Sequence, residues 1–573
     1  MVIADRRWFP PNPLPFEVGL SQWFWLSPHY TGRGGRRMLA TLDWFVVAIY
    51  LSGLVAMSLY LSRRQETAED YFVAGNRSGP ISIALSVMAT QCSTNSILGA
   101  PAFVAFVVGG GLVWLQYELA LPLAMIFIAI FFIPVFHRQR LVSVYLYLGR
   151  RFDDKTQLLI SGMFQLSRAA VAGITVYGVA SMIAITTGLS FAQSVVLFGA
   201  ITIIYDVLGG IRAVIASDVI QMIILTSVLG YLAYLLIGSA GGLESMLAQI
   251  PAERTAALSF QHHGFGDGHD FAFLPMLIGG FFLYVAYYGC DQSQVQRQLC
   301  AATQDDNQKI LIINGVLRFP LVLLYCLIGA GLAAYAGSHT DFLASLPVIN
   351  DAPNYNMALP VLFSRELPVG VVGLAVVALL AAAMSSLDSV INSLSATTLK
   401  DFVKPVMKER IATPAQELWW GRALTVFWGV FALVTAFFVD DIASTVIVAV
   451  NKVGSLINGP ILGVFLLGLM TKTATGRGVR VGFFAGLAVN AFLWAAMPSV
   501  SWLWWNVIGL AATMGVGLMM SGQVSSEQNL TDLVWSPAFY QNAGFTKSWV
   551  PAYGFLGLWT LLLMGVLAMF GTR

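Results

Sequence analysis

Apolar runs of membrane-spanning length recur along this chain, and no other feature restricts its fold as strongly. A spanning helix needs about 20 predominantly apolar residues. Fourteen runs are candidates: 41–61; then 81–108, 111–135, 158–185, 191–206, 217–237, 273–289, 310–335, 369–399, 422–438 and 442–470; then 480–497, 501–520 and 553–570. The runs at 191–206 and 273–289 are short. Lipid offers the backbone no hydrogen-bond partners, so such runs cross as helices. The expectation is an all-α polytopic membrane protein with about 14 transmembrane helices. Composition agrees, with 57% hydrophobic and 10% charged residues. A soluble domain carries about 25% charged residues, and so few charges cannot give this much protein a wet surface.

Several function classes fall away. A net charge of +2 does not suggest nucleic acid as a partner. Cys92, Cys290, Cys300 and Cys326 form no CxxC, so neither a disulfide framework nor a zinc site is expected. No His lies within an apolar run, and no nucleotide-binding motif of the Walker type is present, which argues against an enzyme and a primary pump. The clustered His and Asp at 262–270 fall in a Gly-rich stretch that reads as a solvated outer loop.

Basic residues orient membrane proteins, with the excess on the cytoplasmic side. With the N-terminus outside, the inner loops hold twenty Lys and Arg and the outer segments three. The five Arg of the N-terminal tail oppose the rule, but the bias is consistent over seven loops. This places the polar, Pro-rich segment 1–40 and the C-terminus outside a plasma (inner) membrane. The stretch 238–272 becomes an outer loop, and 521–552 a cytoplasmic one. Arg168, Arg318 and Lys452 remain inside apolar runs. A charge at that depth costs about 2.5–3.5 kcal/mol on insertion scales, so each should face a partner or a wet cavity.

Two runs are interrupted. The run at 81–108 is apolar to Ala89, then reads Thr90-Gln91-Cys92-Ser93-Thr94-Asn95-Ser96. The run at 273–289 contains Gly279-Gly280 and ends with Tyr284, Tyr287, Tyr288 and Gly289. They lie five helices apart. Paired broken helices at corresponding positions of two halves point to a solute site at the midplane. Within 369–399, Ser385, Asp388 and Ser389 are spaced i, i+3, i+4 and share one face. Their hard oxygens suit an alkali cation, and carbonyls freed at the first break would complete its shell. Ser hydroxyls also bond their own i−4 carbonyls, a reading that leaves Asp388 unexplained. Gly209-Gly210 reads as a helix break at the membrane face.

Taken together, these residues resemble the sodium/solute symporter family. The resemblance rests on Asp70-Tyr71-Phe72 with Ala74-Gly75-Asn76-Arg77, on Tyr205-Asp206-Val207-Leu208-Gly209-Gly210-Ile211-Arg212-Ala213, and on Ser217-Asp218-Val219-Ile220-Gln221. Asp291-Gln292 with Val295-Gln296-Arg297, Asn392-Ser393 after the helix stripe, and Gly459-Pro460 through Gly468 extend it over roughly 40–500. It implies a LeuT-type fold: a leader helix and loop at 41–80, inverted five-helix repeats at 81–237 and 273–470, and three extra helices at 471–573. It also implies a sodium-coupled secondary active symporter, with sodium, a small-molecule solute and the bilayer as partners and a monomer as the working unit.

By the same resemblance, sodium would meet the carbonyls of Ala89, Cys92 and Ala382 and the hydroxyls of Ser385 and Ser386. A second cation site, as in the family's sialic acid carriers, would use Asp218, Ser385, Asp388 and Ser389. Asp388 departs from the hydroxyl found there, so it binds sodium, carries a proton or pairs with a base. The sugar branch implies solute contacts at Gln91, Asn95, Ser96, Tyr284, Tyr288, Arg318 and Asn451, with Tyr287 as inner gate. The sialic acid branch implies Ser93, Ser96, Gln116 and Arg168, the last as a clamp on a carboxylate. Arg suits bidentate carboxylate recognition, so sialic acid or another sugar acid is favoured. A neutral sugar or a monocarboxylate is the alternative, and a proton-coupled carrier, a channel or a sensor comes after those.

Overall fold

The computed structural model describes residues 39–572 apart from 64, 350–351, 408–409, 412, 439–445 and 523–529. All but the last two residues of the 1–40 tail, and the start of the run at 442–470, lie outside the described residues. Among the described residues, eleven helices are long and apolar enough to cross a membrane. The count is up to twelve if one pair bent by 54° is a single span.

The main helices are α1 (Thr41–Ser62), α2 (Pro80–Gln91), α3 (Thr94–Phe106), α4 (Ala120–Phe131), α5 (Asp154–Thr187) and α6 (Phe191–Ser239). The second half holds α7 (Gly280–Cys290), the short α8 (Gln292–Leu299), α9 (Gln304–Ser338), α10 (Val371–Thr397), α11 (Pro414–Ala436) and α12 (Val446–Met470). Then come α13 (Gly476–Ala496), α14 (Trp502–Met519) and α15 (Val550–Met569). Short polar side chains set their starts by accepting from first-turn N–H groups. Asp153 takes Thr156 N at 2.8 Å, Thr303 takes Asp306 N at 3.1 Å, and Thr413 closes a capping box with Gln416 ahead of Pro414. Asp43 of the leader helix is buried and accepts from Gly370 N at 2.6 Å and Gly373 N at 2.8 Å. A carboxylate at a helix N-terminus meets unpaired donors and the positive end of the dipole, so this contact fastens α1 to α10.

The broken pair α2–α3 lies between the two halves. α2 packs against α6, α9 and α10, and α3 against α5, α9, α10 and α12. α13 and α14 pack on α12, while α15 covers α4 and α9.

Three expectations change. The runs at 191–206 and 217–237 meet at a kink at Gly210, as the expected break at Gly209-Gly210 requires, but the loop expected at 207–216 is otherwise helical. Gly210 has φ 54° and ψ −163°, a conformation essentially restricted to glycine. A Cβ there would lie 2.6 Å from the Tyr71 ring and 2.8 Å from its carbonyl. Gly210→Ala should therefore cost roughly 2–4 kcal/mol from strain and overlap together, read as a lowered Tm of purified protein. An unchanged Tm would mean the bend at Gly210 is not held by Tyr71.

The run at 273–289 is not broken at its glycines. A π-turn at Pro275–Gly279 runs straight into α7, and Gly279 and Gly280 are helical. They are small because Leu503 O and the Tyr117 ring stand where their Cβ atoms would be, at 2.4 Å and 2.8 Å. Finally, the loop expected at 290–309 contains α8, whose residues are all buried. Its glutamines are absorbed by inward-facing groups. Gln292 Nε2 donates to Val142 O at 2.6 Å, Gln294 Nε2 to Tyr287 Oη at 2.8 Å, Gln296 Nε2 to Phe72 O at 2.7 Å, and Gln298 Nε2 to Tyr288 O at 2.9 Å. A polar helix is stable inside when its polar atoms find such partners.

Candidate solute and cation sites

α2 ends because Cys92 leaves helical geometry (φ −80°, ψ 59°) and Ser93 is extended before α3 restarts. The break strips the last α2 carbonyls of their partners within the helix. Side chains of α10 stand opposite. Ser385 Oγ is 3.0 Å from Ala89 O and 3.0 Å from Ala382 O, and Ser386 Oγ is 3.0 Å from Thr90 O. Uncharged hard oxygens of two helices thus converge at the break. Such a set fits a monovalent alkali cation, since helix-break carbonyls coordinate sodium in discontinuous-helix transporters. The buried Cys92 marks the break, and Ala89, Ala382 and Ser385 lie together with Ser386 beside them against Thr90.

The stripe on α10 continues into a charged pocket. Asp388 Oδ2 accepts from Tyr205 Oη. Ser389 Oγ bonds the carbonyl of Ser385, the i−4 pattern, and lies 2.9 Å from Thr90 Oγ1. Asp218, on α6, accepts from Ser86 Oγ. A base occupies the centre. Arg297 of α8 donates Nε to Ser86 Oγ at 2.9 Å, Nη1 to Ser293 O at 2.7 Å and Nη2 to Ser389 Oγ, and Nη2 lies 3.6 Å from Asp218 Oδ2. Asp206 joins from α6 through Asn392 Nδ2 at 3.5 Å. All four charged side chains are fully buried. Asp206 Oδ2 and Asp218 Oδ1 have no hydrogen-bond partner among the described residues. The sequence does not single out Asp206 and Arg297 as candidates for this pocket. Their signal was present, because both lie inside the motifs that carry the family resemblance.

A cavity opens beside the break. Gln91, Ser93, Ser96, Arg168, Tyr284, Tyr287, Arg318 and Asn451 line it, with Thr90 and Ser386 from the cation side. Tyr288 reaches it indirectly by donating to Gln91 Oε1. The side chain of Asn95 lies outside the described residues. Arg168 pairs with Asp291, the N-cap of α8, and its guanidinium lies 5.0 Å from the Tyr287 ring centre. Arg318 Nε lies 3.5 Å from Glu118 Oε2, and Glu118 Oε1 accepts from Tyr284 Oη at 3.0 Å.

Gln116 is placed elsewhere. Its amide takes Ser259 N at 3.0 Å and donates to Phe271 O at 2.9 Å, so it holds the 238–272 loop and is absent from the cavity lining. The reason is local winding. Residues Leu112–Leu119 form a 3₁₀ helix, in which i and i+3 eclipse. Trp114 and Tyr117 therefore share a line, and with Glu118 they face the cavity.

Comparison with known proteins gives one consistent picture. Residues 71–486 match the family model described as the sodium:solute symporter family. The sodium/sialic acid symporter NanT of Aliivibrio fischeri is 30% identical over 86% of this chain and 95% of its own length. The sodium/sialic acid symporter SiaT of Proteus mirabilis is 27% identical over 83% and 94%. The sodium-coupled monocarboxylate transporter 2 of Bos taurus is 28% identical over 81% and 75%. A solved structure of the substrate-bound outward-open state of a Na+-coupled sialic acid symporter superposes with a TM-score of 0.74 at 25% identity, covering 84% of this chain and 98% of that one. The LeuT-type expectation agrees with that neighbour.

Proposed function

The chain belongs to the sodium:solute symporter family, and from that premise we propose that it imports a small hydroxylated carboxylate, of the sialic acid class, driven by sodium. The observation that carries the substrate class is Arg168, a guanidinium lining the cavity beside Tyr287. Relatives described as sialic acid symporters support the same choice. A solute carboxylate would exchange with Asp291 for the Arg168 fork.

Sodium at Ala89, Cys92, Ala382, Ser385 and Ser386 ties the broken α2–α3 pair to α10. Solute and sodium then raise one another's affinity by the same factor, as linkage requires. Asp218, Asp388 and Ser389 form the second cation site, with Ser385 at its edge. Three buried carboxyl groups share one arginine, so a cation or a proton balances the remainder. Each net charge moved inward gains about 2.3 kcal/mol per 100 mV of membrane potential. The termini lie outside, following the basic inner loops.

The test is uptake into proteoliposomes of sialic acid, a neutral hexose and a monocarboxylate, under an inward sodium or potassium gradient. Accumulation of the sugar acid only with sodium supports the proposal. Accumulation of the hexose or the monocarboxylate alone replaces the solute, and uptake indifferent to sodium overturns the coupling. Ser386→Ala is expected to raise the sodium concentration for half-maximal uptake at least tenfold. An unchanged sodium requirement would move the cation away from α10.

A further inference from the structure

Arg318 touches both halves of the machinery. Its side chain is 7% exposed and lines the solute cavity from the middle of α9. On one edge, Nη1 donates to Cys92 Sγ at 3.1 Å. Cys92 is the residue at which α2 ends, three positions after Ala89, whose carbonyl faces Ser385. On the other edge, Nε lies 3.5 Å from Glu118 Oε2. That donor and that acceptor are both buried and neither makes a hydrogen bond among the described residues. Glu118 is held from behind by Tyr284. The two atoms form an ion pair without a hydrogen bond, so both can turn to a group at the cavity wall that offers both functions. A hydroxyl is such a group.

We propose that Arg318 is the positioning residue that couples the solute to sodium. A solute hydroxyl at the edge of this pair, accepting from Nε and donating to Glu118 Oε2 as the two move apart, satisfies both atoms and fixes the guanidinium. The fixed guanidinium holds the Cys92 thiol. That contact sets the break at which the Ala89 and Thr90 carbonyls meet Ser385 and Ser386. Sodium, by ordering the same break, aligns Cys92 and therefore Arg318 for the solute. A planar guanidinium suits this task because its donors are rigidly related, so ordering one edge orders the other. The inference rests on the sodium site proposed above.

The discriminating variant is Cys92→Ala. Cys92 does not line the cavity, and the change leaves its carbonyl in place. Solute affinity is measured by titration of purified protein in saturating and in trace sodium, and sodium affinity with and without solute. The parent is expected to show mutual enhancement within the roughly 5–150-fold range of allosteric coupling. Cys92→Ala should reduce it to below about threefold, a ratio read at whatever sodium affinity the variant shows without solute. Cys92→Ser, whose hydroxyl accepts from the same guanidinium, should restore most of the enhancement. Full coupling in Cys92→Ala, or none in Cys92→Ser despite normal sodium affinity, overturns the inference. If Ser386→Ala keeps its sodium requirement, the sodium site itself has failed. If that variant loses sodium dependence while Cys92→Ala stays fully coupled, the failure belongs to Arg318 alone.

Discussion

Arg297→Gln should lower the stability of the purified protein by about 3–5 kcal/mol, the usual consequence of removing one partner from a buried ion pair. The guanidinium is fully buried, bonds Ser86, Ser293 and Ser389, and lies 3.6 Å from Asp218. Glutamine cannot supply the charge that Asp206, Asp218 and Asp388 share. Adding Asp218→Asn should recover at least half of the loss, because the second change removes the charge left without a partner. A double-mutant cycle in thermal unfolding reads this directly. An Arg297→Gln protein as stable as the parent would mean that the three carboxylates are neutralised by some other route.

The second large effect concerns the solute. Arg168→Gln is expected to raise KM for a sugar acid about 100-fold, since a charge-assisted, bidentate contact is worth about 1.5–3 kcal/mol. Arg168→Lys keeps the charge and loses the fork, so about tenfold is expected. Sodium binding without solute should be unchanged in both, because Arg168 meets Asp291 and Tyr287 rather than the cation oxygens. Equal loss for a sugar acid and for its neutral alcohol would remove the carboxylate from the argument.

Much of this architecture could be read from local pattern. The polar interruption Thr90 to Ser96 predicts a break because seven such residues cannot face lipid, and the chain breaks at Cys92. The i, i+3, i+4 spacing of Ser385, Asp388 and Ser389 places them on one face before any coordinates. Arg168 and Arg318 stand out as charges at bilayer depth. Their partners do not stand out, because Asp291 and Glu118 come from other helices and no local period relates them. The resemblance implies Gln116, and the sequence gives no sign that Leu112–Leu119 winds as a 3₁₀ helix and turns Glu118 to the cavity instead. Glycine pairs misled in one case and informed in the other. Gly209-Gly210 bends a helix, whereas Gly279-Gly280 only lets neighbours approach.

The glutamine-rich helix α8 carries a consequence for speed. A carrier must shut its passage firmly and still release it on every cycle. Charged latches hold well but open slowly, since each opening separates ions. Gln294, Gln296 and Gln298 hold through amide nitrogens while their carbonyl oxygens have no protein partner among the described residues. Water reaching them exchanges bond for bond at a net difference of only about 1 kcal/mol each, and it gives the idle oxygens donors. The amide contacts of α8 are therefore tight when dry and quick to yield once wetted, and the ion pairs of Arg297 with Asp218 and of Asp291 with Arg168 are the part of this seam that resists.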